Sequence, residues 1–125
     1  MSVHMMISES RQVSVVEEGT FSYLDAGSEQ TVVELTPTKR ITITGVWLDL
    51  VNMTQDGTIK VYYKVDGTNY REYASVSFTV SSDPDGLLIS VPFTIDDDWK
   101  LTYTEGADEG AARNIPYQVF YDEKE

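Results

Sequence analysis

Residues 40–52 read RITITGVWLDLVN, residues 58–65 read TIKVYYKV and residues 70–80 read YREYASVSFTV. Each run alternates apolar with polar side chains, the period of a strand buried on one face, and the breaks MTQDG and DGTN carry the Gly, Asp and Asn that turns require. In the second run Ile59, Val61, Tyr63 and Val65 share a face against Lys60, Tyr62 and Lys64. In the third, Tyr70, Glu72, Ala74, Val76, Phe78 and Val80 oppose Arg71, Tyr73, Ser75, Ser77 and Thr79. The first run changes phase midway: Ile41 and Ile43 are odd-numbered, whereas Val46, Leu48 and Leu50 are even. One inserted residue accounts for the shift, and Gly45 marks a β-bulge that turns Trp47, Asp49 and Val51 away from the core.

Working outward, alternation also marks strands at 12–17, 31–35, 87–95, 99–103 and 115–121. Pro92 sits on the off phase of its run, which argues for an edge or a bulge. The segments around Asp56–Gly57 and Asp66–Gly67 read as plain hairpin turns. The loop EGADEGAARN, residues 105–114, has room for a single helical turn. No long stretch carries helical periodicity. Eight short antiparallel strands predict an all-β, two-sheet β-sandwich that is jelly-roll-like rather than a seven-stranded immunoglobulin-like arrangement. Closure into a barrel stays open as an alternative. Residues 1–11 read as a flexible N-terminal tail and 12–125 as one sandwich domain.

A chain of 125 residues with 41% hydrophobic content builds a single core without a staple. No apolar run approaches the roughly 18 residues needed to cross a bilayer. MSVHMMISESRQ lacks the basic and apolar regions of a signal peptide, so synthesis in the cytoplasm is expected and the final location is not encoded. Cysteine is absent, which removes disulfides, thiol nucleophiles and thiolate metal sites. Nine basic against 21 acidic residues give a net charge of -12. Such a surface repels phosphate backbones and anionic lipid, so neither nucleic acid nor membrane is expected as a partner.

Catalytic constellations are scarce. The lone histidine, His4, lies in the tail, so no serine triad or imidazole zinc site is supported, and no phosphate-binding glycine loop occurs. Paired carboxylates could cleave glycosides. Yet Asp49 and Glu72 are the only acids within strong strand patterns, and Glu72 falls on the apolar phase, where a carboxylate is costly unless paired or solvated. An enzyme is therefore not expected. Asp83 and Asp85 before Gly86, and Asp96, Asp97 and Asp98, are acidic turns that could offer oxygens to calcium, although Asp and Gly are also ordinary turn residues. No other cofactor is expected. Trp47, Tyr62 and Tyr73 fall on the non-core phases of three consecutive strands, beside Lys60, Lys64 and Arg71. Together they predict one exposed aromatic and basic face for a protein contact or a stacked glycan, or a face covered by another part of the chain.

The stretches VWLDLVNMTQDGTIKVYYKVDGTNYREY and VPFTIDDDWKLTYTEGADEGAARNIPY resemble small β-sandwich proteins that accompany virion and tail genes of tailed phages and prophages. The resemblance spans about residues 30–121 and implies a structural or attachment part, assembled in several copies through protein contacts and self-association. The residues and the resemblance together predict a non-enzymatic binding or structural module. A carbohydrate-binding jelly roll, stabilised by calcium, is the alternative.

Overall fold

The computed structural model describes residues 12–24, 27–83, 87–89 and 92–124. Among these residues nine strands follow in chain order: β1 (Gln12–Tyr23), β2 (Gln30–Leu35), β3 (Ile41–Leu48), β4 (Gly57–Tyr63), β5 (Arg71–Phe78), β6 (Leu87–Ile89), β7 (Phe93–Ile95), β8 (Trp99–Glu105) and β9 (Arg113–Lys124). One sheet runs β1-β9-β3-β6, with β7 also on β3, and the second runs β2-β8-β4-β5. All pairings are antiparallel. Apart from the β4–β5 hairpin and the β6–β7 step along β3, every connection passes from one sheet to the other. This is the wrapped topology of a jelly roll.

β6 and β7 are two pieces of one edge strand. β6 pairs with Val46–Leu48 and β7 with Ile41–Ile43, so the break around Pro92 faces the bulge of β3. That bulge lies where the phase change predicts it: Ile43 pairs with Tyr121 and Gly45 with Phe120, leaving Thr44 as the extra residue. Inward-facing side chains from both sheets, among them Tyr23, Ile43, Ile59, Phe78, Trp99, Leu101, Tyr103, Ile115 and Val119, form one core. Leu50, just beyond the end of β3, is also fully buried, and the Asp49 N–H donates to Pro116 O at 2.9 Å.

Three local expectations are corrected. β1 runs to Tyr23 instead of ending at residue 17, because Phe21 and Tyr23 continue the inward alternation and Gly19 makes room for the Tyr117 ring opposite. The loop after β8 contains no helical turn; the buried carboxylate of Glu109 ties it down instead. Asp56–Gly57 is not a hairpin turn, since it carries the chain across from β3 to β4 in the other sheet. Asp66–Gly67 is one: Gly67 adopts φ 78° and its N–H donates to Lys64 O at 3.1 Å. Among the described residues there is no helix, and hence none long and apolar enough to cross a membrane.

Candidate protein-contact face

The outer face of the β2-β8-β4-β5 sheet gathers charged and aromatic side chains into two rungs. Because Ile59, Val61, Leu101 and Tyr103 face the core, Lys60 and Tyr62 on β4 and Lys100 and Thr102 on β8 face outward. Register places Thr31, Thr102, Lys60 and Ser75 in one rung and Glu34, Lys100, Tyr62 and Glu72 in the next. Between these rungs both flanking strands carry one extra residue, Val32 on β2 and Tyr73 on β5. The two bulges bring Glu34 and Glu72 onto the face that holds Lys100 and Lys60.

The side chains interlock. Tyr62 donates its hydroxyl to Glu29 Oε2, which also accepts the Thr102 hydroxyl at 2.6 Å. Tyr70, at the end of the β4–β5 hairpin, donates to Glu34 Oε2. The rings of Tyr62 and Tyr70 meet edge to face at 6.4 Å and 74°. Lys100 Nζ lies 4.5 Å from the centre of the Tyr70 ring and 5.2 Å from that of Tyr62, while Lys64 Nζ lies 4.8 Å from Tyr70. These are cation–π distances. Lys60 pairs with Glu72 at 3.3 Å and Lys64 with Asp98 at 3.0 Å.

The electrostatics follow from these partners. Hydrogen bonds from Thr102 and then Tyr62 hold the Glu29 carboxyl below its ordinary range. Burial, reinforced by the Glu29 carboxylate, pushes the Tyr62 phenol up to about 12. Burial and Glu34 push Tyr70 up as well, and the hydrogen bond to Asp98 raises Lys64. Both phenols therefore stay protonated as donors near neutral pH. The face is a preformed, nearly charge-balanced surface.

Of the residues expected on one face, the fold brings Lys60, Tyr62 and Lys64 together. Trp47 belongs to the other sheet, opposite Gln118 of β9, and is half-exposed there. Tyr73, as the extra residue of its bulge, turns its ring toward Tyr63 at 6.2 Å and away from Tyr62. Arg71 stands opposite Tyr63 and reaches toward Asp66 at 3.9 Å. Sequence reading missed Glu29, Glu34, Tyr70, Lys100 and Thr102. A signal did exist: Glu72 on an apolar phase marked the shift that moves it outward to Lys60.

The acidic turns are drawn to separate partners. Asp96 makes a two-pronged contact with Arg40 at 2.9 and 3.1 Å, Asp98 meets Lys64, and Asp97 Oδ1 accepts the Asp98 N–H at 2.9 Å. Asp83 Oδ2 accepts the Thr79 N–H at 3.4 Å, and Asp85 lies outside the described residues. Among the described residues, no group of three or more His, Cys, Asp and Glu side chains is placed to hold one metal ion.

No protein-family model and no curated protein sequence matches the chain. Solved structures do share its fold. The capsid of Helicobacter pylori bacteriophage KHP30, described as an acidic stable capsid, matches with TM-score 0.57 and 13% identity over 92% of this chain and 95% of that one. Bacillus endospore appendages, described as disulfide-linked pili, match with TM-score 0.52 and 13% identity over 93% and 92%. The PRD1 vertex protein P5 matches with TM-score 0.50 and 13% identity over 91% and 96%. At these identities the likeness establishes the β-sandwich fold that the chain shares with capsid, pilus and vertex proteins.

Proposed function

We propose that this chain is a non-enzymatic building block of a multi-copy, virion-type protein assembly, and that the outer face of the β2-β8-β4-β5 sheet is a contact surface in it. The observation that carries this reading is the Tyr62–Tyr70–Lys100–Lys64 cluster. Its hydroxyls, ammonium groups and carboxylates are already engaged with one another. Such a surface loses little side-chain freedom when a partner covers it, and Tyr is among the residues enriched at interface hot spots. The phage capsid, vertex protein and endospore pilus support the reading by analogy of fold, since each aligns over more than nine-tenths of both chains. Without cysteine, copies of this chain would be held together by non-covalent contacts.

Sedimentation velocity over a concentration series tests the proposal. Multimers that grow with concentration are expected, and a lone monomer up to millimolar concentration would sink it. Tyr62→Ala and Lys100→Ala should lower the multimer fraction while leaving the circular dichroism spectrum unchanged.

The glycan reading is supported by one observation, the half-exposed Trp47, which shares its outer face with the exposed Phe120. At Tyr62 and Tyr70, by contrast, lysines lie over the rings a sugar would stack on. A glycan panel read by Trp fluorescence separates the two readings. A response lost in Trp47→Ala favours a glycan, and silence across the panel removes it.

A further inference from the structure

A sheet edge is a row of unpaired N–H and C=O groups, and folded chains guard such rows against pairing with other chains. Among the described residues the two sheets have four edges, and three of them are interrupted. β2 is six residues long and bulged at Val32, β5 is bulged at Tyr73, and the β6–β7 edge is two three-residue pieces on either side of Pro92. β1 is different. It runs 12 residues in unbroken register with β9, from Gln12↔Lys124 to Tyr23↔Arg113, and its sequence QVSVVEEGTFSY holds no proline, lysine or arginine. Val13 is 39% and Val16 42% exposed, and they lie on opposite faces of the strand, so its first residues are open on both faces, while Phe21 and Tyr23 pack inward at its other end.

We propose that the free edge of β1 receives β1 of a second copy of this chain, antiparallel, continuing one sheet across two molecules. The inference rests on the assembly reading above and names the partner and the contact. Charge selects both. A two-fold axis at Glu17 or Glu18 would set like carboxylates opposite each other, which destabilises a strand pair. An axis at Ser14 instead pairs the charge-free segments QVSVV, with Gln12 opposite Val16 and Val13 opposite Val15. The segment is thus complementary to itself, as an isologous two-fold contact requires.

The absence of cysteine makes the test direct. Residues on the axis of an antiparallel pair have Cα atoms about 4.5–5.5 Å apart, within disulfide range. Ser14→Cys should therefore oxidise to a covalent dimer. Its rate should exceed that of Val51→Cys, in the exposed turn after β3, by more than about tenfold, because paired sites see millimolar effective concentrations. Val16→Cys, whose partner across the edge is Gln12, should lag behind Ser14→Cys. Val13→Lys and Val16→Lys should abolish the contact in sedimentation without loss of fold. If wild type forms multimers while Ser14→Cys couples no faster than Val51→Cys, the β1 inference is overturned and the assembly reading stands. If wild type is monomeric at every concentration and Ser14→Cys is inert, both are overturned.

Discussion

Gly57 carries the sharpest constraint at the scale of a single residue. A Cβ at this position would lie 2.1 Å from the Tyr103 hydroxyl oxygen, 2.4 Å from its Cζ and 2.9 Å from the Thr104 carbonyl. Tyr103 cannot swing away, being fully buried with its ring edge-on to Tyr23 at 5.3 Å. Gly57→Ala should therefore cost about 1–3 kcal/mol, the range for overpacked cores. Urea denaturation measures it, and a variant as stable as wild type would mean that the ring yields. The Tyr103 hydroxyl is buried and lacks a hydrogen-bond partner among the described residues, so Tyr103→Phe should be neutral or stabilising. In the Gly57→Ala background it should recover only part of the loss, because the ring and the Thr104 carbonyl remain in the way. Sequence singles out Gly57 as a turn residue; its actual role, making room for a ring from another strand, needs the fold to be seen.

Strands were legible where packing forces alternation and illegible where two arrangements share one pattern. The bulge at Gly45 shows as a phase shift because Ile41, Ile43, Val46 and Leu48 must all face the core. The bulge at Tyr73 leaves a fainter trace, the charged Glu72 on an otherwise apolar phase, since tyrosine is at home on either face and Tyr70 through Val80 keeps one unbroken alternation. For the same reason MTQDG reads equally well as a hairpin and as a crossover. That ambiguity moved Trp47 to the wrong sheet in the expected face. Connections are where sequence was most silent, and buried carboxylates hold them here. Glu109, with 3% of its surface exposed, accepts the N–H and hydroxyl of Thr54 at 2.9 and 2.8 Å and the N–H of Gln55 at 3.1 Å. Glu105 accepts the N–H groups of Gly27 at 2.7 Å and Glu109 at 2.9 Å. Glu109→Ala leaves those donors, and Arg113 beside them, without their anion. A loss of about 3 kcal/mol is expected, in line with breaking other buried charged contacts. Chemical denaturation checks it, and a change too small to resolve would mean that water replaces the carboxylate.

For the molecule as a whole, charge governs both stability and association. Glu29, Asp66 and Asp96 all titrate below their ordinary values in the fold: Thr102 and Tyr62 stabilise the first, backbone N–H groups of Asn69 and Thr68 hold Asp66 at about 2, and Arg40 lowers the third. The unfolded chain therefore binds more protons than the folded one as pH falls through the ordinary carboxylate range of about 3.9–4.3 to about 2. The stability these groups contribute is complete above that window and lost through it. The melting temperature should fall on acidification, less steeply in Asp66→Asn. Association follows a different logic. Copies of a chain with net charge -12 repel one another, and contact costs least where charge is balanced. On the outer face of the second sheet, Lys60, Lys64 and Lys100 are set against Glu29, Glu34, Glu72 and Asp98. A two-fold β1 edge closes on itself as a dimer, so any larger species needs a second contact of this kind. Added salt should then increase multimer mass by screening the repulsion between copies. Lys100→Glu, which removes one of three cations and adds a further carboxylate, should stop growth at the dimer, whereas Val16→Lys should remove the dimer. Sedimentation at low and molar salt distinguishes the outcomes. Dissociation by salt would mean that opposite charges, rather than a neutral aromatic face, hold the copies together, and a Lys100→Glu protein that still grows past the dimer would place the second contact elsewhere.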